Sequence, residues 1–414
     1  LERLIEKESF NVLFDAFFQD IPFGTGGRRG PVGFGPNRIN SFTVATSIEG
    51  HSRFLKERFP SLSGLSVVVA FDVRVFHDLR GVYDRGRPNP LLGMTSRDFA
   101  RIAASVYAAN GIRVWMPDPA EGRYISTPEL SFAIRFLKAQ GGLNISASHN
   151  HPDDNGAKIY NEKGSQEIPP VDEDLAKIVE ATSAARSMPF EEGVAKGIIL
   201  WLPPEVSDAY LETNANVSRD RGARSARVVF TPLHGTGYLS AGASLRRAGF
   251  QVELFPDQAK PDGTFPNVPF RSPNPEVPQS LLGAMEYARG RGADLVLGTD
   301  PDADRLGMMA PHRGEWVFLN GNEIGVILAH YLFAREPVPR PARPAQQKFA
   351  VTTVVTTSLF SRMARASGVR VVDDLCVGFK YIADVINTIE ATGRYGDIAS
   401  TTDGFVIGIE ESHG

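Results

Sequence analysis

Three aspartates at alternate positions, Asp300, Asp302 and Asp304 in DPDADR, follow the apolar run DLVLG (294–298). In an extended segment, side chains at i, i+2 and i+4 share a face, so this spacing predicts three carboxylates presented to one point. Carboxylates that close repel strongly unless a cation lies among them, and an oxygen-only donor set favours a hard ion such as Mg²⁺. The same opening begins an EF-hand calcium loop, which requires Gly at its sixth position and Glu at its twelfth; Arg305 and Pro311 stand there instead. A solvated acidic loop is the plain alternative. Arg305, a guanidinium beside the cluster, suits a phosphate ligand better than a calcium turn.

A second polar cluster, SASHNHPDDNGAK (146–158), also follows a buried-type run, and Asn150, Pro152, Asn155 and Gly156 predict a tight loop. Ser148 beside His149 raises the possibility of a serine hydrolase. No G-x-S-x-G elbow occurs in the chain, and Ser and His adjacent in sequence rarely form a triad. Loops at the carboxyl ends of parallel strands are where α/β folds place ligands.

The elements needed to position such loops recur along the chain. LSVVVAF (65–71), IRVWM (112–116) and LNIS (143–146) alternate with helical patterns over 98–110 and 128–139. ARVVF (226–230), QVELF (251–255) and DLVLG alternate with helices over 239–248 and 279–290. FAVTTVV (349–355), VRVV (369–372) and FVIGIEE (405–411) alternate with helices beginning at Asn322, Ser358 and Phe379. In the helix from Asn322, the 3, 4 and 7 residue steps predict that Ile324, Ile327, Leu328 and Tyr331 share the packed face. Short β-rich runs alternating with helices predict an α/β protein of three consecutive α/β domains, with mainly parallel mixed sheets flanked by helices. The expected divisions are 1–200, 201–312 and 313–414. The opening stretch 1–20 reads as one amphipathic helix. Residues 76–95, rich in Gly, Pro and charge, read as an exposed loop, and the proline-rich 336–345 as an extended connector.

Bulk properties exclude several function classes. A length of 414 residues calls for more than one core. A net charge of −4 speaks against nucleic acid or an anionic membrane as partner. No apolar run approaches the roughly 20 residues needed to span a bilayer. The single cysteine, Cys376, rules out an internal disulfide framework and suits a reducing, cytoplasmic compartment.

The serine loop and D-x-D-x-DR together resemble the α-D-phosphohexomutase superfamily, the phosphoglucomutases and phosphomannomutases. FGTGGRRG (23–30), FTPLHGTG (230–237), DGTFP (262–266), SPNPE (272–276), VGFKYI (377–382) and GIEESHG (408–414) match in the same order, so the resemblance runs through nearly the whole chain. It implies that Ser148 is the phosphoryl carrier and that Asp300, Asp302, Asp304 and a phosphoserine oxygen hold Mg²⁺. It implies that Arg29, Lys158 and Arg305 surround the moving phosphoryl group, with His149 at the same phosphate or the reacting hydroxyl. Lys158, Arg29 and His149 all remain open as the general base. Lys380, Glu410 and Ser412 are implied to face the sugar, and the E-E-S form resembles glucose-type members. The implied reaction interconverts hexose 1-phosphate and hexose 6-phosphate, glucose or mannose foremost. It passes through a bisphosphorylated sugar, which also serves as activator, and its partner is a small phosphosugar substrate.

Two departures stand out. His151 occupies a position where the family often has Pro, and 76–95 is longer than usual. The family's fourth domain, with its Arg-Ser-Gly-Thr type loop for the distal phosphate, has no counterpart motif in these residues, which predicts weak phosphate gripping by this polypeptide. Hydrolysis through the same phosphoserine, or sugar-phosphate binding without catalysis, are the competing functions; a binder, however, needs no nucleophile.

Overall fold

The structure, a computed structural model, describes residues 1–24, 26–217, 222, 224–335 and 347–412. The expected connector 336–345 therefore lies outside the described residues, as do Thr25, His413 and Gly414 of the matched motifs.

Among the described residues three larger sheets follow one another along the chain, and a two-stranded hairpin, Arg394–Tyr395 with Ile398–Ala399, accompanies the third. The first comprises β1 (Gly27–Pro31), β2 (Ser66–Phe71), β3 (Arg113–Met116), β4 (Gly141–Ile145), β5 (Asp154–Asn161) and β6 (Ile199–Trp201), in the order β1-β5-β4-β2-β3-β6. β2, β3, β4 and β6 run parallel, while β5 is antiparallel to both β4 and β1. The second comprises β7 (Arg227–Thr231), β8 (Gln251–Leu254), β9 (Leu295–Thr299), β10 (Leu306–His312) and β11 (Glu315–Leu319), in the order β11-β10-β9-β7-β8. The third joins β12 (Phe349–Thr353) in parallel to β13 (Arg370–Leu375) and to the strand Phe405–Ile409. This is the expected α/β architecture with mixed, mainly parallel sheets.

The central strands are apolar throughout because both of their faces are covered. In β2, Val67, Val69 and Phe71 join one hydrophobic cluster while Val68 and Ala70 join another. In β12, Phe349 and Val351 face one core and Ala350 the other. A strand between two helical layers loses the apolar–polar alternation of a half-solvated one. The helix Ser96–Ala109, which covers β2, opens with a reciprocal capping box between Thr95 and Asp98.

Several local expectations are corrected. The stretch 1–20 forms two helices, Glu2–Glu6 and Phe10–Phe17, broken where Glu8 turns to φ 52. In the helix Gly321–Arg335 the buried face carries Ile324, Ala329 and Phe333, while Ile327 and Leu328 are exposed; a spacing test weighted by side-chain size overlooks a packing stripe that includes alanine. The second sheet runs to Leu319 through the antiparallel hairpin of β10 and β11. The segment 76–95 is irregular as expected, yet Phe76, Asp78 and Leu91 are buried and Arg80 pairs with Asp154, so it packs onto the serine loop.

One buried group sets a pH dependence for the first core. His51 is fully enclosed, its Nδ1 2.6 Å from the Tyr107 hydroxyl, and burial lowers its pKa to about 3. The unfolded chain takes up this proton near pH 6.5 and the folded chain only near 3, so the stability is present above 6.5 and lost as pH falls through that window. Relative to His51→Gln, the native chain is expected to lose about 1.4 kcal/mol more per pH unit between pH 6 and 4, measured by urea titration. Equal slopes for the two proteins would show that His51 is not the titrating group.

Candidate active site

The segment 300–305 leaves β9 as a turn, with Ala303 at φ 55, where an extended run was expected. Along an extended strand, alternate residues lie about 6.6 Å apart, which spreads three carboxylates too widely to share one ion. The turn draws them together: one ligand oxygen from each of Asp300, Asp302 and Asp304 lies within 4.8 Å of the others. The amides of Asp304 and Arg305 both donate to Asp300 Oδ1 at 3.1 Å, closing the loop. FTPLHGTG holds it from behind. Thr236 donates to the Pro301 carbonyl from its amide (2.8 Å) and hydroxyl (3.0 Å), and a Cβ on Gly235 would stand 2.3 Å from Pro301 Cα.

Ser148 sits just past β4 in the left-handed region, φ 53, and is buried. Its Oγ donates to Asp300 Oδ2 at 2.5 Å and lies 3.2 Å from His149 Nδ1. Lys158 arrives on β5, where a loop was expected; turn-forming DNGAK is held extended by β4 and β1 on its two sides. Its ammonium donates to Asp302 Oδ2 at 2.7 Å and lies 3.5 Å from Asp304 Oδ2. Asp302 Oδ2 also accepts from Thr127 Oγ1 (3.0 Å) and Asn144 Nδ2 (3.3 Å), two residues without a motif signal in the sequence.

These contacts divide the carboxylates into occupied and free halves. Asp302 Oδ1 and Asp304 Oδ1 are buried with no hydrogen-bond partner among the described residues. A buried carboxylate oxygen without a donor costs free energy unless a cation meets it. Hard oxygen donors, close spacing and two orphaned oxygens together fit a divalent metal.

Electrostatics assigns proton states. Burial drives Asp300 well above the usual carboxylate range, reinforced by Asp304 and Asp302. Burial opposes ionisation of Asp302 too, but the Lys158 ammonium outweighs it and holds Asp302 well below that range. Burial disfavours the Lys158 charge, yet Asp302 and Asp304 hold it firmly protonated. His149 is lowered to about 3, chiefly by burial and then by Arg305 and Arg29, so its imidazole is neutral near pH 7.

A cleft of about 750 Å³ opens beside this cluster, lined by Arg29, Lys158, Asp304, Arg305, Lys380, Glu410 and Ser412 among others. Arg29 is exposed on β1, whereas its neighbour Arg28 is buried and donates to Thr43 O and Ser47 Oγ within the wall. Arg305 is paired with Glu276 of SPNPE, a carboxylate that sequence reasoning left without a role. Lys380, expected to face the sugar, is buried with its ammonium 2.8 Å from Asp172 Oδ2. Glu410 accepts from the Gly378 amide at 3.1 Å, and burial, then Glu411, raises its pKa. Ser412 Oγ lies 3.4 Å from Glu411 Oε1.

A shielded serine against a metal-type carboxylate cluster, beside a cation-lined cleft, is an arrangement chemically suited to phosphoryl groups. Residues 94–186, 208–314 and 320–414 match alpha/beta/alpha domains I, II and III of phosphoglucomutase/phosphomannomutase. The chain belongs to the phosphoglucomutase/phosphomannomutase family.

Among its relatives, a phosphoglucomutase of Staphylococcus saprophyticus is 33% identical over 371 residues, covering 88% of this chain and 61% of the relative. A protein of Schizosaccharomyces pombe named as a phosphoribomutase is 28% identical over 410 residues, covering 96% and 64%. The chain thus spans less than two thirds of the length of these curated relatives. A crystal structure from Thermus thermophilus, described as a phosphomannomutase, superposes with a TM-score of 0.69 at 26% identity, covering 96% of this chain and 75% of that one.

Proposed function

We propose that this chain carries the catalytic centre of a phosphosugar mutase that interconverts hexose 1-phosphate and hexose 6-phosphate, with glucose or mannose as the sugar. The observation that carries the reading is the Ser148 hydroxyl, buried and 2.5 Å from Asp300 within the carboxylate cluster. Asp300, Asp302 and Asp304, with an oxygen of phosphorylated Ser148, would hold Mg²⁺, which supplies charge neutralisation for the moving phosphoryl group. A sugar bisphosphate is both the intermediate and the activator that charges Ser148.

In the first half-reaction the phosphoserine P–O bond breaks, a P–O bond forms to the free sugar hydroxyl, and that hydroxyl loses its proton. Lys158 is held protonated and serves as a fixed cation, not as the base. The proton that the sugar hydroxyl loses is balanced by one taken up at Ser148 Oγ, the leaving oxygen, beside which His149 Nδ1 stands at 3.2 Å. Arg29 and Arg305 add positive charge at the cleft wall. Glu410, Ser412 and Lys380 receive the sugar, the last after exchanging its contact with Asp172 for a substrate oxygen. The second half-reaction returns the other phosphate to Ser148. Burial of the serine supports this cycle, because water reaching a phosphoserine would hydrolyse it. The sheets support a division of the chain near residue 200 and again just after Leu319. The lone Cys376 fits a reducing, cytoplasmic setting.

The reading is tested by supplying glucose 1-phosphate, Mg²⁺ and a trace of glucose 1,6-bisphosphate. Glucose 6-phosphate is the expected product. Inorganic phosphate alone would mean a hydrolase, and no turnover with saturable substrate binding would mean a binder.

A further inference from the structure

Arg74 is among the most enclosed side chains of the described residues, at 1% exposure, and is not among the residues lining the cleft. Its Nη2 donates to the carbonyls of Ser148 (2.6 Å) and Asn150 (2.7 Å), and its Nη1 to that of His151 (2.6 Å). Its Nε donates to Asp72 Oδ2 at 3.0 Å, and Asp72 is held in turn by the hydroxyl of Ser96 at 2.5 Å. The guanidinium thus spends its planar fork on the nucleophile loop rather than on a phosphate. A charged donor meeting several carbonyls fixes backbone more firmly than neutral bonds do. Ser148 needs such support, because φ 53 is a conformation that a residue bearing a side chain adopts reluctantly.

The same side chain meets the second α/β unit. The Phe265 ring of DGTFP lies 5.1 Å from the guanidinium, and a Cβ on Gly263 would stand 2.4 Å from Arg74 Cα. Ser148 hangs from the first sheet and Asp300 from the second, so their 2.5 Å contact depends on how these units register. Arg74 touches both sides of that register.

Resting on the mutase reading above, we infer that Arg74 is a positioning residue: it holds the Ser148 loop in its left-handed bend and docks it against the DGTFP loop, keeping the nucleophile opposite the metal-site aspartates. Lysine keeps the charge but not the planar fork. Rapid-quench phosphorylation of Ser148 by glucose 1,6-bisphosphate with Mg²⁺, followed by intact mass, reads the effect in the full chain. Arg74→Lys is expected to lower the saturated rate constant about 100-fold, while half-saturation moves less than about 3-fold. A native rate in the folded variant, or a loss confined to half-saturation, overturns the inference.

Amide hydrogen exchange over 147–151 reads the clamp without turnover. It is expected to accelerate at least about 10-fold in Arg74→Lys with the rest of the first sheet unchanged; unaltered exchange there also overturns it. If the native chain takes no phosphate while exchange separates the two proteins, the mutase reading fails and the clamp stands. Should Arg74→Lys not fold, Phe265→Leu decides: faster exchange in the serine loop supports the docking, and native exchange refutes it.

Discussion

Ser148→Ala is expected to eliminate the phosphoenzyme and to lower turnover at least about 10⁴-fold, because no other group takes over a covalent carrier. The serine is the hydroxyl bonded to Asp300, and the side chains around it are cations, acids or an imidazole rather than spare nucleophiles. The exchange removes one buried oxygen and leaves the loop backbone, with its Arg74 contacts, in place. Folding is therefore expected to survive. Intact-mass analysis separates the outcomes: native protein charged with sugar bisphosphate carries an additional phosphoryl group, and the variant carries none. Retained turnover in the variant would remove Ser148 from the mechanism.

Asp302→Ala is expected to have the next largest effect, lowering activity about 10²–10³-fold while weakening Mg²⁺ binding. Asp302 has two separate duties. Its Oδ2 collects Lys158, Thr127 and Asn144, and its Oδ1 faces the cluster with no partner among the described residues. Alanine removes both, so Lys158 retains only the longer 3.5 Å contact to Asp304. Asp302→Asn keeps the shape but removes the charge, and is expected to lose most of the metal affinity with less damage to folding. Calorimetric Mg²⁺ titration reads this without reference to turnover. An unchanged titration in both variants would place the metal elsewhere.

The parallel strands and their helices were legible because burial on both faces leaves apolar runs such as VVVAF in β2 and FAV in β12. The antiparallel pieces were not. β1 is GRRGP and β5 begins DNGAK, compositions that read as loops; pairing with neighbouring strands, rather than intrinsic preference, extends them. The aspartate cluster was recognised through an extended geometry that the chain does not adopt; the residue types pointed to a metal site, but the turn at Ala303, not the alternate spacing, gathers the three carboxylates. Arg305 and Lys380 were recognisable as cations near the cleft, but Glu276 and Asp172 as their partners were not.

The sequence by itself determined which chemical groups are available: Ser148 in a polar loop, three aspartates in one short run, and arginines and lysines in motifs whose order points to one family. Covalent order is enough for that, because residue type and local spacing are carried along the chain. Tertiary structure alone decided what each group can do. Lys158 and Asp302 stand 144 residues apart in the chain and 2.7 Å apart in space. That contact holds Lys158 protonated against its burial and leaves Asp302 Oδ1 without a hydrogen-bond partner among the described residues. Proton states follow from burial and from neighbours in space, and sequence spacing encodes neither.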